Sequence, residues 1–277
     1  MITFVTFYMA LTPERRVRLS ESTSSFSVAD DAACWIDLLF RSARHFHPDC
    51  RCVLLSDEET ILPLLRDVEI CRRPVCINDP LWSRLMAERD FLSDSENDQN
   101  IAFVDFDVLV NGSLNDVFLE PFDVALTCRP HPEMPVNAGV VLTRARRRLE
   151  ALAFFDRLLG IYEQHFKGDL WWADQRALAL LIGDEGCRTP PPPSVETEGI
   201  YIRLLPVDEF NYTPDRARYL LRVADNVKIL HFKGNRKPLM RDHWTSHHLR
   251  NERPAERHRR REVFARCRLA LRAAFNR

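Results

Sequence analysis

Ile101-Ala102-Phe103-Val104-Asp105-Phe106-Asp107-Val108-Leu109-Val110 decides how this chain folds. Four apolar residues stop at two carboxylates, and three aliphatic residues come next. The polar stretch 93–100 ahead of the run predicts a loop, so residues 101–104 read as a buried strand. In a strand, residues i and i+2 face the same side. Asp105 and Asp107 then point into one space, with Phe106 turned away. Two hard oxygen donors converging at a strand end suit Mg²⁺ or Mn²⁺, which complete their shells with water and phosphate oxygens. Aspartates also end strands and cap the next element, so the tripeptide alone is open between the two readings.

Upstream, strand and helix patterns alternate. Ile2-Thr3-Phe4-Val5-Thr6-Phe7-Tyr8 is β-branched and aromatic and predicts a buried first strand. Residues 27–44 repeat apolar positions at helical spacing, with Asp30 or Asp31 available as a cap. A second strand is predicted over 52–57, a short helix over 58–65, a third strand over 68–71 and a helix over 82–91. This alternation predicts βαβ units and a mostly parallel sheet. Ligands bind at the carboxyl ends of such strands, where Thr6, Asp57 and Asp105 fall.

Downstream, residues 124–128 and 139–142 predict short strands, 144–163 and 174–181 helices, and 227–231 a late strand. Four consecutive prolines within 189–193 predict a rigid extended surface segment. There is no internal repeat.

The chain has 277 residues, 45% hydrophobic residues and a formal net charge of −1. That is enough for one large α/β domain. Charge over the whole chain indicates no nucleic-acid partner, but its distribution is uneven. Residues 241–277 carry eleven Arg against four Asp and Glu. Within them, 251–277 reads as an Arg-rich amphipathic helix. It suits either an anionic membrane surface or a solvated helix packed on the domain. The eight cysteines have neither zinc-clip nor disulfide-scaffold spacing. Buried reduced thiols are expected, which fits a cytoplasmic enzyme at most peripheral to the inner face of the membrane. No signal peptide is recognisable, and no run approaches the roughly 18 apolar residues of a membrane span.

Two further segments join the Asp pair. In Val227-Lys228-Ile229-Leu230-His231-Phe232-Lys233-Gly234-Asn235-Arg236-Lys237-Pro238 a strand ends in a histidine, and a glycine turn with several cations comes after it. Histidine is a third ligand for Mn²⁺. Gly234 lets backbone amides approach a phosphate, and Lys237 can neutralise it. In Pro135-Val136-Asn137-Ala138-Gly139-Val140 an amide side chain and a glycine precede a strand, a place to read sugar hydroxyls.

In this order the segments resemble the nucleotide-diphospho-sugar transferases. Among these they are most similar to glycosyltransferase family 8, the glycogenin and lipopolysaccharide galactosyl- and glucosyltransferase group. The D-x-D after an apolar strand, the N-x-G-V of Asn137-Ala138-Gly139-Val140, the D-Q of Asp174-Gln175 opening a helix, and H-F-x-G-x-x-K-P over 231–238 carry the resemblance. It spans residues 1–238, leaving 239–277 as a basic helical C-terminal tail. Leu239 stands where the family often has an aromatic residue, and no aromatic residue precedes Asn137.

The resemblance implies a GT-A fold: α/β, Rossmann-like, with a mixed, mostly parallel central sheet flanked by helices. It implies transfer of a hexose, glucose or galactose, from a UDP-sugar to a glycan, lipid-linked or protein acceptor, with retention of configuration. Asp105, Asp107 and His231 would ligate Mn²⁺ or Mg²⁺. Thr6, Phe7 and Tyr8 would flank uracil and ribose, and Arg84 would lie near the donor sugar and phosphates. Asn137 and Asp174 would bind sugar hydroxyls, and Gln175 would lie near the anomeric carbon. Gly234 and Lys237 would hold the pyrophosphate. Two alternatives stand beside this reading: a HAD-type phosphohydrolase with the D-x-D as nucleophile and acid/base, and a non-catalytic sugar-nucleotide binder.

Overall fold

The computed structural model describes residues 1–10, 32–62, 65–76, 78–94, 99–131, 134–169, 172–214 and 226–245. Strand β1 (Ile2–Phe7) pairs in parallel with β2 (Arg51–Ser56) on one side and with β4 (Asn100–Val104) on the other. Strand β3 (Glu69–Arg72) extends the parallel set beyond β2. Successive side chains enter opposite layers, as a pleated strand requires. Phe4 and Ala102 join the core on one face, Val5 and Phe103 the core on the other. Burial on both faces is the reason β4 reads as an unbroken apolar run.

Beyond β4 the direction changes. Strand β7 (Val136–Thr143) lies antiparallel between β4 and β6 (Val124–Cys128). Strand β9 (Ile200–Pro206) runs parallel to β6, and β8 (Ser194–Thr197) closes the edge antiparallel to β9. The order is β3-β2-β1-β4-β7-β6-β9-β8. Strands β5 (Val108–Val110) and β10 (Ile229–His231) form a separate antiparallel ribbon. The expected mixed, mostly parallel α/β sheet is present.

Helix α1 (Ala32–Phe46) covers one face of the sheet. Its Ile36, Leu39, Phe40 and Ala43 recur at helical spacing and share a core with Phe4, Leu54 and Val104. Helices α2 (Pro80–Asp94), α3 (Arg148–His165) and α4 (Ala173–Gly186) cover the other face. Leu85, Phe91, Phe154, Phe155, Leu158 and Leu178 meet Val5, Val53 and Phe103 there.

Several expectations need correction. The helix predicted over 58–65 is absent from its described residues. Instead Asp57 Oδ1 accepts the Thr60 amide at 2.6 Å and holds a local turn. The polar stretch 93–100 is not all loop, since α2 runs to Asp94 and β4 begins at Asn100. Strands β8 and β9 had no sequence reading, because their apolar positions are interrupted by Glu196, Tyr201 and Arg203. Of the described cysteines only Cys52 and Cys128 are buried and Cys76 is exposed; all are free thiols. From the C-terminal segment, the short helix Leu239–His243 and Trp244 pack against Trp35 and Leu38 of α1. The amphipathic helix expected over 251–277 lies outside the described residues, as do 27–31 of the first helix. Among the described residues no helix is long and apolar enough to cross a membrane.

Candidate active site

Strand β4 ends at Val104, and Phe106 and Asp107 lie in a turn that leads to β5. The two carboxylates therefore converge through a turn and not through the pleat of a strand, which corrects the expectation from residue spacing. The turn is held at both ends. The Asp105 amide donates to Gly139 O at 3.0 Å, and the Phe232 amide donates to Asp107 O at 2.9 Å. Phe106 does face away, edge-on to Tyr8 at 5.4 Å and stacked on Trp35 at 6.2 Å between centroids.

The β5–β10 ribbon pairs Val108 with His231, which sets the histidine beside the turn. His231 Nε2 lies 3.0 Å from Asp107 Oδ1 and 3.4 Å from Asp105 Oδ2. One ligand atom from each of the three residues falls within 4.8 Å of the others. Two carboxylate oxygens and one imidazole nitrogen are a donor set that fits Mn²⁺ or Mg²⁺. Asp107 and His231 are buried, whereas the Asp105 side chain is 29% exposed, so the cluster opens on the Asp105 side.

Two cations brace the cluster. Lys237 Nζ lies 2.5 Å from Asp107 Oδ2. Burial alone would raise the Asp107 pKa, but Lys237 and His231 outweigh it and hold the carboxyl well below its ordinary range. Arg84 bridges Asp105 Oδ1 at 2.8 Å and Asp174 Oδ2 at 2.6 Å, and its Nε lies 3.9 Å from Glu88 Oε1. Three carboxylates thus share one guanidinium. Burial pushes the most weakly coupled of them, Glu88, up to about 7 against the pull of Arg84. Asp105, Asp107 and Asp174 share two cations, Arg84 and Lys237, which leaves a negative excess that a divalent ion would balance.

Strand β7 runs against β4, so its first residues lie at the same end of the sheet as the end of β4. Asn137 accepts the Gly139 amide on Oδ1 at 3.0 Å, and its Nδ2 donates to Gln175 Oε1 at 3.3 Å. Arg129 Nη2 donates to the same Gln175 oxygen at 3.4 Å. Gly139 is a glycine because nothing larger fits. A Cβ there would lie 2.4 Å from His231 Cε1 and 2.9 Å from Asp105 Oδ2. Asn137 sits inside β7, which begins at Val136 and not at the predicted residue 139, a correction to its placement ahead of the strand.

One end of the sheet thus gathers Asp105, Asp107, His231, Arg84, Lys237, Asp174, Asn137 and Gln175. Gly234, with φ of +58°, opens the single 3₁₀ turn that delivers Lys237. Thr6 and Phe7 close β1 beside them and Tyr8 follows directly, linked through the Tyr8–Phe106 contact. Thr6 Oγ1 is buried and has no hydrogen-bond partner among the described residues. Sequence reasoning missed Glu88, one turn after Arg84 on α2, and Arg129 and Thr127 on or just past β6. It also missed Asn211. The signal for Asn211 was a lone amide between two aromatic residues, Phe210-Asn211-Tyr212, shortly before the late strand. Lys233 is half-buried, and desolvation together with the nearby Arg129 pushes it down to about 8. This further cation near Asp105 and Asp107 was legible only as one charge in a basic turn.

No protein-family model matches the chain. No curated protein matches it. Solved structures do. The glycosyltransferase GlyE of Streptococcus pneumoniae TIGR4 superposes with a TM-score of 0.52 at 14% identity, over 98% of this chain and 62% of GlyE. The galactosyltransferase LgtC, in complex with donor and acceptor sugar analogs, superposes with a TM-score of 0.50 at 14% identity over 95% of each chain. This chain therefore spans about three-fifths of GlyE and nearly all of LgtC. At that identity the likeness is one of fold, and the fold is that of the GT-A glycosyltransferases.

Proposed function

We propose that this protein is a glycosyltransferase that moves a hexose, glucose or galactose, from a UDP-sugar to an acceptor hydroxyl. Mn²⁺ or Mg²⁺ would be held by Asp105, Asp107 and His231. The observation that carries the reading is the convergence of these three side chains, with Lys237 on Asp107, at the carboxyl end of a parallel strand in a glycosyltransferase fold. A divalent ion bound there supplies a Lewis acid for the diphosphate leaving group. Lys237 adds fixed positive charge on the same side, where negative charge grows as the sugar–phosphate bond breaks. Arg84 orients Asp105 and Asp174 from one guanidinium, so the metal ligand and the sugar-facing carboxylate move together. Asn137 and Gln175, joined by a hydrogen bond, line the place for sugar hydroxyls and the anomeric carbon. Thr6, Phe7 and Tyr8 at the end of β1 would flank uracil and ribose, and the Thr6 hydroxyl has no hydrogen-bond partner among the described residues.

LgtC, whose structure holds donor and acceptor sugar analogs, supports a glycan as the acceptor class. The arrangement disfavours a phosphohydrolase, whose first aspartate must be free to attack phosphorus. Asp105 is held by Arg84 and faces His231. The direct test is UDP release from a panel of UDP-sugars, with Mn²⁺ or with chelator, for wild type and Asp107→Ala. Slow metal-dependent hydrolysis of one donor, lost in the variant, is the expected result. No release, together with no thermal stabilisation by UDP and Mn²⁺, would refute the reading.

A further inference from the structure

A histidine ligates a metal only through a ring nitrogen that carries a lone pair, and its other nitrogen decides which one that is. Around His231 the decision can be traced to the backbone. The Gly139 amide is a donor that cannot be reversed. It reaches Asn137 Oδ1 at 3.0 Å, which fixes that atom as an acceptor oxygen. The same oxygen accepts from Asn211 Nδ2 at 2.8 Å. Asn211 Nδ2 also donates to Thr127 Oγ1 at 2.9 Å, and the Thr127 hydroxyl proton is already committed to Asn137 O at 3.0 Å. Both contacts therefore place the nitrogen of the Asn211 amide on that side, and its Oδ1 must face the other way. There it meets His231 Nδ1 at 2.8 Å. A carbonyl oxygen only accepts, so Nδ1 carries a proton, and in the neutral ring Nε2 is the nitrogen that keeps the lone pair. Nε2 is the atom that faces Asp105 and Asp107.

The relay is sheltered from competing water. Asn211 and Thr127 are wholly buried, and Asn137 and His231 nearly so. The backbone fixes its register. The Tyr212 amide donates to Ile229 O at 3.0 Å and the His231 amide to Tyr212 O at 2.8 Å, so Asn211 is carried alongside β10. At the other end, the register shift between Leu126 and Thr127 in the β6–β7 pairing aims the Thr127 hydroxyl into the relay. A bare Nε2 lone pair next to two carboxylate oxygens is repulsive unless a cation lies among them.

We propose that Asn211 is the positioning residue of the metal site: it locks His231 as the Nδ1–H tautomer and so presents Nε2 to the ion. The inference rests on the reading of Asp105, Asp107 and His231 as metal ligands. Partners of this kind, one bond away from the ligands, typically change metal affinity by about 10- to 100-fold.

The test uses the full chain and Mn²⁺ itself, with free Mn²⁺ counted by electron paramagnetic resonance. Asn211→Leu removes the acceptor, and Mn²⁺ affinity should fall about 10- to 100-fold. Asn211→Asp keeps an oxygen opposite Nδ1–H and should stay within a fewfold of wild type. Nitrogen-15 resonances of histidine in Mg²⁺-saturated wild type should show Nδ1 protonated at His231, a readout that does not depend on how the variants fold. An Nε2–H tautomer there, or equal Mn²⁺ affinity in wild type and Asn211→Leu, would overturn the inference while leaving the metal site standing. Failure of wild type itself to bind Mn²⁺ would overturn the ligand assignment and the inference together.

Discussion

The parallel strands β3-β2-β1-β4 and the strands beyond them contribute to the site in different ways. The parallel half supplies position. Its strands end together, and what they bring to the carboxyl end is mostly backbone: the end of β1, whose Thr6 hydroxyl has no partner among the described residues, and the end of β4 from which the Asp turn departs. The second half supplies side chains that answer the Asp pair. Because β7 is antiparallel to β4, its beginning and not its end lies at the site. Asn137 and Gly139 reach it from β7, and His231 from β10 about 90 residues later in the chain. A regular layer can therefore be altered at a cost in stability, whereas the irregular half should lose chemistry first.

Asp107→Asn probes the chemistry most sharply. It keeps the shape but loses the charge that holds Lys237 and faces His231. Metal-dependent turnover should drop by at least about 100-fold, the usual scale for removing one preorganised electrostatic contact. Initial UDP release at saturating donor, with and without chelator, measures it. A variant that keeps chelator-sensitive turnover would place the ion elsewhere.

Arg84→Met tests the hub that joins the halves. It would leave Asp105, Asp174 and Glu88 facing one another without their cation. Breaking such a buried arrangement costs about 3–5 kcal/mol. Chemical denaturation at neutral pH should show it, and addition of Mn²⁺ should restore part of the loss by placing positive charge beside Asp105. No loss of stability would mean that the three carboxylates relax into water.

Phe103→Ala and Gly139→Ala set the halves directly against each other. Phe103 is buried in β4 against Phe91 and Phe155. Its truncation should cost about 3–5 kcal/mol while the folded fraction keeps its Mn²⁺ affinity. Alanine at 139 would press its Cβ on His231 and Asp105. Overpacking of this kind costs only about 1–3 kcal/mol, but the proposed metal ligands are what must move. Mn²⁺ titration of both variants reads the contrast, and the same affinity loss in both would erase the proposed distinction.

The two halves also differ in how far the sequence reveals them. Strands β1, β2 and β4 are buried on both faces, so their sequences are continuous apolar runs that need no context. Strand β8 is the edge and β9 lies next to it; both alternate unevenly, with Tyr201 exposed and Arg203 bonded to Val117 O, and no local pattern announces them. The Asp pair, His231 and Lys237 were legible as a set because acids, imidazole and cations have few other uses at strand ends. The same spacing argument gave the right convergence for the wrong reason, since a turn and not a pleat brings Asp105 and Asp107 together. Asn211 was not legible. A buried amide acts through three partners, two of them about 75 to 85 residues away in the chain, and only the fold brings them together.

Glu88 offers the smallest effect and one with a definite sign. Its folded-state pKa of about 7 lies above the ordinary 4.5, because burial opposes its charge and Arg84 is already shared with Asp105 and Asp174. Below pH 4.5 both folded and unfolded chains hold the proton, and Glu88 costs nothing. Between about 4.5 and 7 the folded chain binds a proton that the unfolded chain has released, so stability declines as pH rises. Above 7 the carboxylate is charged in both states and the loss is complete. Glu88→Gln imitates the protonated acid at every pH. Its advantage over wild type should therefore be near zero at pH 4.5, grow through the interval and level off above pH 7, at no more than about 3 kcal/mol. Denaturant melts in chelator across pH 4.5–8 give the difference curve. A flat curve would mean that Glu88 is ionised throughout and that Arg84 serves three charges at once. An advantage that shrinks with rising pH would place the pKa below its ordinary value and make Glu88, not Asp174, a full partner of the guanidinium.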